Sequence, residues 1–172
     1  MINLITAVVR ALLLYHLAEY QSGNATTIKI NIQNHTFRVS DNGRGHAVNK
    51  TINGLPYLRL VYSQLEYPFG LDTDTPIQLH TIGMSLINSL CSELVVTVHK
   101  TETIYIRHYK HGQLHKEEAV ENHENFTGTA IEGKIAADLF PEGIDLQHFE
   151  NWLNEIKRIN QQLRLFYNEK EL

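Results

Sequence analysis

Apolar helical periods near both ends of the chain, with short strands meandering between them, predict an α+β domain whose helices cover one face of a mixed sheet. The length of 172 residues, 42% of them hydrophobic, fits a single domain over 1–172 with enough core to fold without disulfides or a structural metal. One cysteine, Cys91, makes no internal bridge. It sits in the apolar run 87–94 and reads as a small buried hydrophobe in a reducing compartment, the cytoplasm.

The elements follow in order. Met1 to Ala18 is apolar but has no basic leader and is interrupted by Arg10 and His16, so it reads as a buried helix rather than a signal or a span. Asn3 or Thr6 starts it, and Gly23 lies just past its end. Ile28 to Ile32 and Thr36 to Ser40 alternate apolar and polar side chains on either side of a polar break, which predicts a hairpin. Gly54 to Glu66 spaces Leu55, Leu58, Val61, Tyr62 and Leu65 at three and four residues, with Pro56 in a first turn, and predicts a helix. Tyr67 to Leu79, with Pro68, Gly70, Asp72, Asp74 and Pro76, is a long loop.

A second apolar helix is expected from Thr81 to Cys91. Leu94 to Val98 and Thr103 to Arg107 then form a hairpin about the turn 100–102, and Tyr109 to Gly112 ends its arm. His115 to Asn125 is polar and acidic and reads as a surface excursion. Gly128 to Ile135 returns as a strand. Asp145 caps an amphipathic helix to Ile159 with Phe149, Trp152, Leu153 and Ile156 on one face, and Gln162 to Phe166 is the last strand.

Composition removes several functions. Fifteen basic against nineteen acidic residues give −4, with no run of Lys/Arg, so direct nucleic-acid binding has no electrostatic footprint. Of ten histidines, His99, His108, His111, His115 and His123 fall close together, but strand alternation points them apart and no metal site is expected. His46 and His80 are placed to reach a phosphate but read more simply as exposed fillers. Cys91 has no base beside it to make it a nucleophile. Lys157, Arg158 and Arg164 read as a solvated helix face.

The informative stretch is Phe37-Arg-Val-Ser-Asp-Asn-Gly-Arg-Gly45. A strand delivers Asp41 into a loop whose Gly43 and Gly45 let a backbone or ligand approach, and a carboxylate there can accept from an exocyclic amine. A tight Asn-Gly turn between two strands explains the same residues, although 46–52 shows no alternation of a partner strand. The motif alone leaves both readings open.

The order of further motifs resembles the ATP-binding domain shared by DNA gyrase B and its topoisomerase IV counterpart, in the GHKL superfamily. The residues that carry it are Val39 to Gly45, Leu79 to Leu90, Val98 to Tyr105, Tyr109 to Gly112 and Phe126 to Thr129, and the similarity runs from about Leu4 to Glu169. The resemblance implies a Bergerat-type two-layer sandwich. It implies that Asp41 binds the adenine amine, that Thr129 supports that carboxylate, that Gly43 and Gly45 line the pocket, that Glu19 pairs with Arg44 at its mouth and that Val61 forms an apolar wall. ATP or ADP is the implied ligand.

Set against the same family, the catalytic half departs. Ala11 and Tyr15 stand where the general-base glutamate and the magnesium-binding asparagine are expected, so no catalytic residue and no metal ligand is assigned and Mg2+ is not expected to be held. Of the glycine-rich lid only Gly83 remains; Tyr67 to Pro76 looks short, has no lysine, and carries Asp72 and Asp74, which repel a triphosphate. Nothing matches a transducer or metal-binding TOPRIM domain, no topoisomerase activity is expected of the chain by itself, and no membrane association is expected. Since the chain begins within the first helix, family-type dimerisation through an N-terminal arm is not expected either. Two readings follow: a domain that binds adenine nucleotide weakly with little or no hydrolysis, or a degenerate module that binds or modulates type II topoisomerase subunits without nucleotide. A third, a working ATPase with Glu19 as base, is the remotest.

Overall fold

A computed structural model describes residues 3–63 and 83–172. The first helix, α1 (Leu4–Gln21), begins where the Asn3 side chain accepts from the Thr6 amide and ends just before Gly23, whose φ of +76° suits glycine. Its buried side chains include Ile5, Val8, Val9, Leu12, Leu13, His16 and Leu17, so one stripe of the helix is wholly committed to packing. Beneath it run β1 (Thr27–Gln33) and β2 (Thr36–Asp41), an antiparallel hairpin in the register Ile30 opposite Val39.

The central sheet has eight strands among the described residues. In spatial order they are β10 (Lys170–Glu171), β9 (Arg164–Tyr167), β1, β2, β8 (Gly128–Ile135), β5 (Cys91–His99), β6 (Thr103–Lys110) and β7 (Gln113–Glu121). Every pairing is antiparallel except β1 with β9, which the helix α4 (Leu146–Ile159) makes parallel by carrying the chain back across the sheet. The fold is therefore the α+β arrangement that the sequence predicts. Ile28, Ile30, Phe37, Val39, Val96, Val98 and Ile131 face α1 and the fully buried Phe149 and Leu153 of α4 in one core.

The structure corrects several boundaries. Residues 54–56 are not helical: β3 (Thr51–Ile52) and β4 (Leu55–Pro56) form a small ladder, and α2, Tyr57–Ser63 among the described residues, begins after them. Pro56 lacks the amide donor, and the residue before a proline is biased to extended backbone, so the apolar spacing overstated the start. Cys91 is not helical either. The helix α3 (Met84–Leu90) stops there, and Cys91 opens β5, 1% exposed, as a buried hydrophobe. The excursion expected at 115–125 is mostly strand β7. Its apolar pattern is missing because it is an outer strand exposed along nearly all its length, held by its ladder to β6 and by cross-strand pairs such as Arg107 with Glu117 at 3.0 Å. The predicted last strand begins two residues later than expected, and β10 follows it. Leu65, the loop 67–79 with Asp72 and Asp74, His80 and the start of the helix expected at Thr81 lie outside the described residues.

Candidate functional site

At the end of β2, Gly128, at the start of β8, approaches so closely that a Cβ there would overlap the Asp41 carbonyl oxygen. That contact brings Thr129 beside the carboxylate. Asp41 Oδ1 accepts from the Gly43 amide at 2.7 Å and from the Thr129 amide at 3.4 Å. The loop 42–45 folds back tightly: a Cβ on Gly43 would meet both Asp41 Oδ1 and Glu19 Oε2 at 2.9 Å, and Gly45 holds φ +71° against the His99 carbonyl. Gly45 needs glycine for its positive φ, while a Cβ on Gly43 would displace the two side-chain oxygens. Lys100 spans the loop, donating to the carbonyls of Arg44 at 2.9 Å and Gly45 at 3.0 Å.

At the rim Glu19 of α1 meets Arg44, whose Nη2 and Nε donate to its two oxygens at 2.8 and 3.3 Å. Six residues singled out in the sequence thus gather at one end of α1: Asp41, Gly43, Gly45, Thr129, Glu19 and Arg44. Thr129 acts on Asp41 through its amide; its hydroxyl accepts instead from the His46 amide at 3.1 Å. Val61 is buried in the core on α2, and Gly83 caps α3 in extended backbone with Ser85 Oγ, at 3.6 Å, the nearest atom to a Cβ there among the described residues. Those two stand apart from the hydrogen bonds around Asp41.

His16 escaped the sequence reading. It lies on the buried stripe of α1, one turn before Glu19, and its Nδ1 meets Asp41 Oδ2 at 2.5 Å, with the two side chains 0% and 1% exposed. The available signal was a histidine three residues from the rim glutamate on an otherwise apolar face, where a polar group needs a partner. Burial pushes the Asp41 carboxyl up. The His16 hydrogen bond and charge, with the Gly43 and Thr129 amides, outweigh it and hold the group below the usual carboxylate range.

His46, expected to be an exposed filler, is instead 3% exposed. Its Nδ1 bonds the Tyr15 hydroxyl and its Nε2 the Tyr62 hydroxyl, both at 2.7 Å, and its ring stacks on Tyr15 at 4.8 Å. Burial, reinforced by the nearby charge of His16, drives its pKa down to about 3, so the ring is neutral and one tyrosine donates to it while the other accepts. Burial likewise pushes the Tyr15 phenol far above its ordinary value. A neutral phenol already bonded to His46, on a helix whose preceding turn offers Ala11, does not suit magnesium, which takes carboxylate, amide or phosphate oxygens.

Among the described residues no group of three or more His, Cys, Asp or Glu is disposed to hold a metal ion. The clustered histidines diverge: His99 stacks on Phe126, His108 meets Glu118 and His123 meets Glu121. No helix described is long and apolar enough to cross a membrane.

No protein-family model matches the chain. DNA gyrase B of Campylobacter jejuni is 34% identical over 119 residues, 66% of this chain and 16% of that protein. The B-type component of DNA topoisomerase 4 from Staphylococcus epidermidis is 30% identical over 122 residues, covering 69% and 18%, and DNA gyrase B of Staphylococcus aureus is 31% identical over 129, covering 72% and 20%. The chain thus spans about a fifth or less of the length of these relatives. Among solved structures, the 43K ATPase domain of Thermus thermophilus gyrase B, in complex with an aminocoumarin, superposes with a TM-score of 0.78 at 23% identity over 96% of this chain and 44% of that one. The topoisomerase IV ATP-binding domain of Francisella tularensis, in complex with a small-molecule inhibitor, gives 0.82 at 18% identity over 100% and 87%. By sequence and by fold, the chain resembles the gyrase-B-type ATPase domain of the GHKL superfamily.

Proposed function

We propose that the protein binds adenine nucleotide weakly through the residues gathered at the end of α1 and does not hydrolyse it. The observation that carries this reading is the assembled group of Asp41 on the Gly43 and Thr129 amides with the Glu19–Arg44 pair beside it. Weakness follows from His16, since Asp41 already has a protein donor on each oxygen and its side chain is 1% exposed. Absence of hydrolysis follows from α1, whose only carboxylate, Glu19, is tied to Arg44, and from a Tyr15 that suits no metal.

Calorimetric titration with ADP and ATP, with and without Mg2+, tests binding. Millimolar dissociation little changed by the metal is expected, and absence of heat at millimolar nucleotide refutes the reading. Phosphate release above a no-protein blank refutes the non-hydrolytic part. Loss of that release in Glu19→Gln would establish the third reading, Glu19 as base.

One observation favours a second reading, a module that binds or modulates type II topoisomerase subunits without nucleotide: the His16–Asp41 contact closes the pocket floor with no ligand needed to satisfy Asp41. Capture of purified gyrase and topoisomerase IV subunits on the immobilised protein, unaffected by added ADP, is its test.

A further inference from the structure

We infer that the sheet face turned away from the helices carries a separate ligand site, one that takes a small organic anion bearing a flat ring, an aromatic carboxylate. Along β1 and β2 the buried Ile28, Ile30, Phe37 and Val39 face the helices, so Lys29, Arg38 and Ser40 stand on the opposite face. There a cavity of about 640 Å³ lies over β9, β1, β2 and the start of β8, a volume in the range of small-ligand sites. Register explains its shape. Lys29 is opposite Ser40 and Ser40 opposite Ala130, so two short side chains make the floor. Long ones stand around it: Lys29 and Phe166, paired across β1 and β9, at one end, Arg38 at the side, and the stacked His99 and Phe126 at the other end.

Charge selects an anion. The chain as a whole carries −4, yet three cations, Lys29, Arg38 and Arg164, line this cavity with a single acid, Asp41. Asp41 does not offset them, because its carboxylate is engaged by His16 and its side chain is 1% exposed; the little it exposes is main chain. Glu132 and Glu171, which pair with Arg38 and Arg164, are not among the lining residues, and such exposed pairs hold little. Arg38 Nε and Nη2 and Arg164 Nη1 bond to no described residue. Lys29 has no carboxylate partner among the described residues; its Nζ lies 5.9 Å from the centre of the Phe166 ring, with the Arg164 guanidinium 5.1 Å from the same ring. Like charges gathered on three adjacent strands repel one another, and a bound anion relieves that repulsion. A carboxylate suits the planar guanidinium, and the Ser40 hydroxyl, bonded to no described residue, adds a donor on the floor.

Aromatic surface selects the ring. Phe126 is 44% exposed, with its ring stacked on His99 at 4.3 Å. A ligand ring stacked beside it at the start of β8 lies two strand spacings, about 10 Å, from β1, a gap that the Lys29 side chain and the ligand's own carboxylate close between them. An aliphatic acid forgoes the stacking and a neutral ring forgoes the cations.

The test titrates wild type with naphthoate, cyclohexanecarboxylate and naphthalenemethanol, followed by amide 15N–1H spectra. Naphthoate is expected to bind in the sub-millimolar range, with shifts confined to residues 27–31, 38–42, 126–130 and 164–166, and the other two about tenfold more weakly or worse. Lys29→Gln and Phe126→Ala, both at exposed positions, are each expected to weaken naphthoate about fivefold, with circular dichroism confirming the fold. Absence of shifts at about 10 mM naphthoate overturns the proposal, as does equal affinity for the aliphatic acid or the neutral alcohol. Shifts centred on Gly43, His46 and α1, or full affinity in both folded variants, also overturn it. None of these readouts requires that ADP bind, so this proposal and the nucleotide reading fail separately.

Discussion

Replacing Asp41 by alanine removes the acceptor for three donors: His16 Nδ1–H at 2.5 Å, Gly43 N–H at 2.7 Å and the longer Thr129 N–H at 3.4 Å. The first two are buried with nothing else in reach, and each unmet donor costs about 1–3 kcal/mol, so a loss of about 3–5 kcal/mol is expected. Asparagine keeps an oxygen for the two amides and gives up the charge opposite His16, at about 1–2 kcal/mol. The two variants also differ from wild type in acid. The folded Asp41 pKa lies below its unfolded value, so its contribution is complete above about pH 4 and is lost as the pH falls through the folded pKa. Urea unfolding followed by tryptophan fluorescence between pH 3 and 7 measures both effects. An Asp41→Ala cost under about 0.5 kcal/mol, or an Asp41→Asn curve with the same acid limb as wild type, refutes the reasoning.

Further outcomes follow from the same packing. His46 is neutral in the fold with a pKa near 3 against an unfolded value of about 6.5, so wild type loses stability as pH falls below about 6.5; His46→Gln removes that component from the stability–pH curve. Gly128→Ala forces a methyl into the Asp41 carbonyl, and a loss of about 2–4 kcal/mol with weakened amide protection at Thr129 by hydrogen exchange is expected. Phe149→Ala empties a site with no exposed surface between α4 and the sheet, costing about 3–5 kcal/mol by urea unfolding. The Cys91 thiol is 1% exposed and pushed by burial to about 12, so a thiol reagent at pH 8 labels it only after denaturant is added.

Legibility varied along the chain for definite reasons. The hairpin 27–41 and the helix at 146–159 show their period because each has one face in the core and one in water. The strand β7 does not, since an outer strand exposed on nearly its whole length has no apolar face to display. The 54–56 ladder was hidden by leucine spacing that a helix and a two-residue strand share at that length.

For the site, sequence alone identified the residues whose type is forced by local geometry. Asp41 stands at a strand end, Gly43 and Gly45 sit where a Cβ has no room, and Glu19 and Arg44 are matched by family order. Only the tertiary structure decided what Asp41 touches. His46 moved from an expected surface position to a buried junction of two tyrosines. His16 entered because α1 crosses the sheet at the height that sets its side chain over the end of β2. A hydrogen bond between residues twenty-five apart depends on how a helix lies across a sheet, and no local pattern of side chains records that angle.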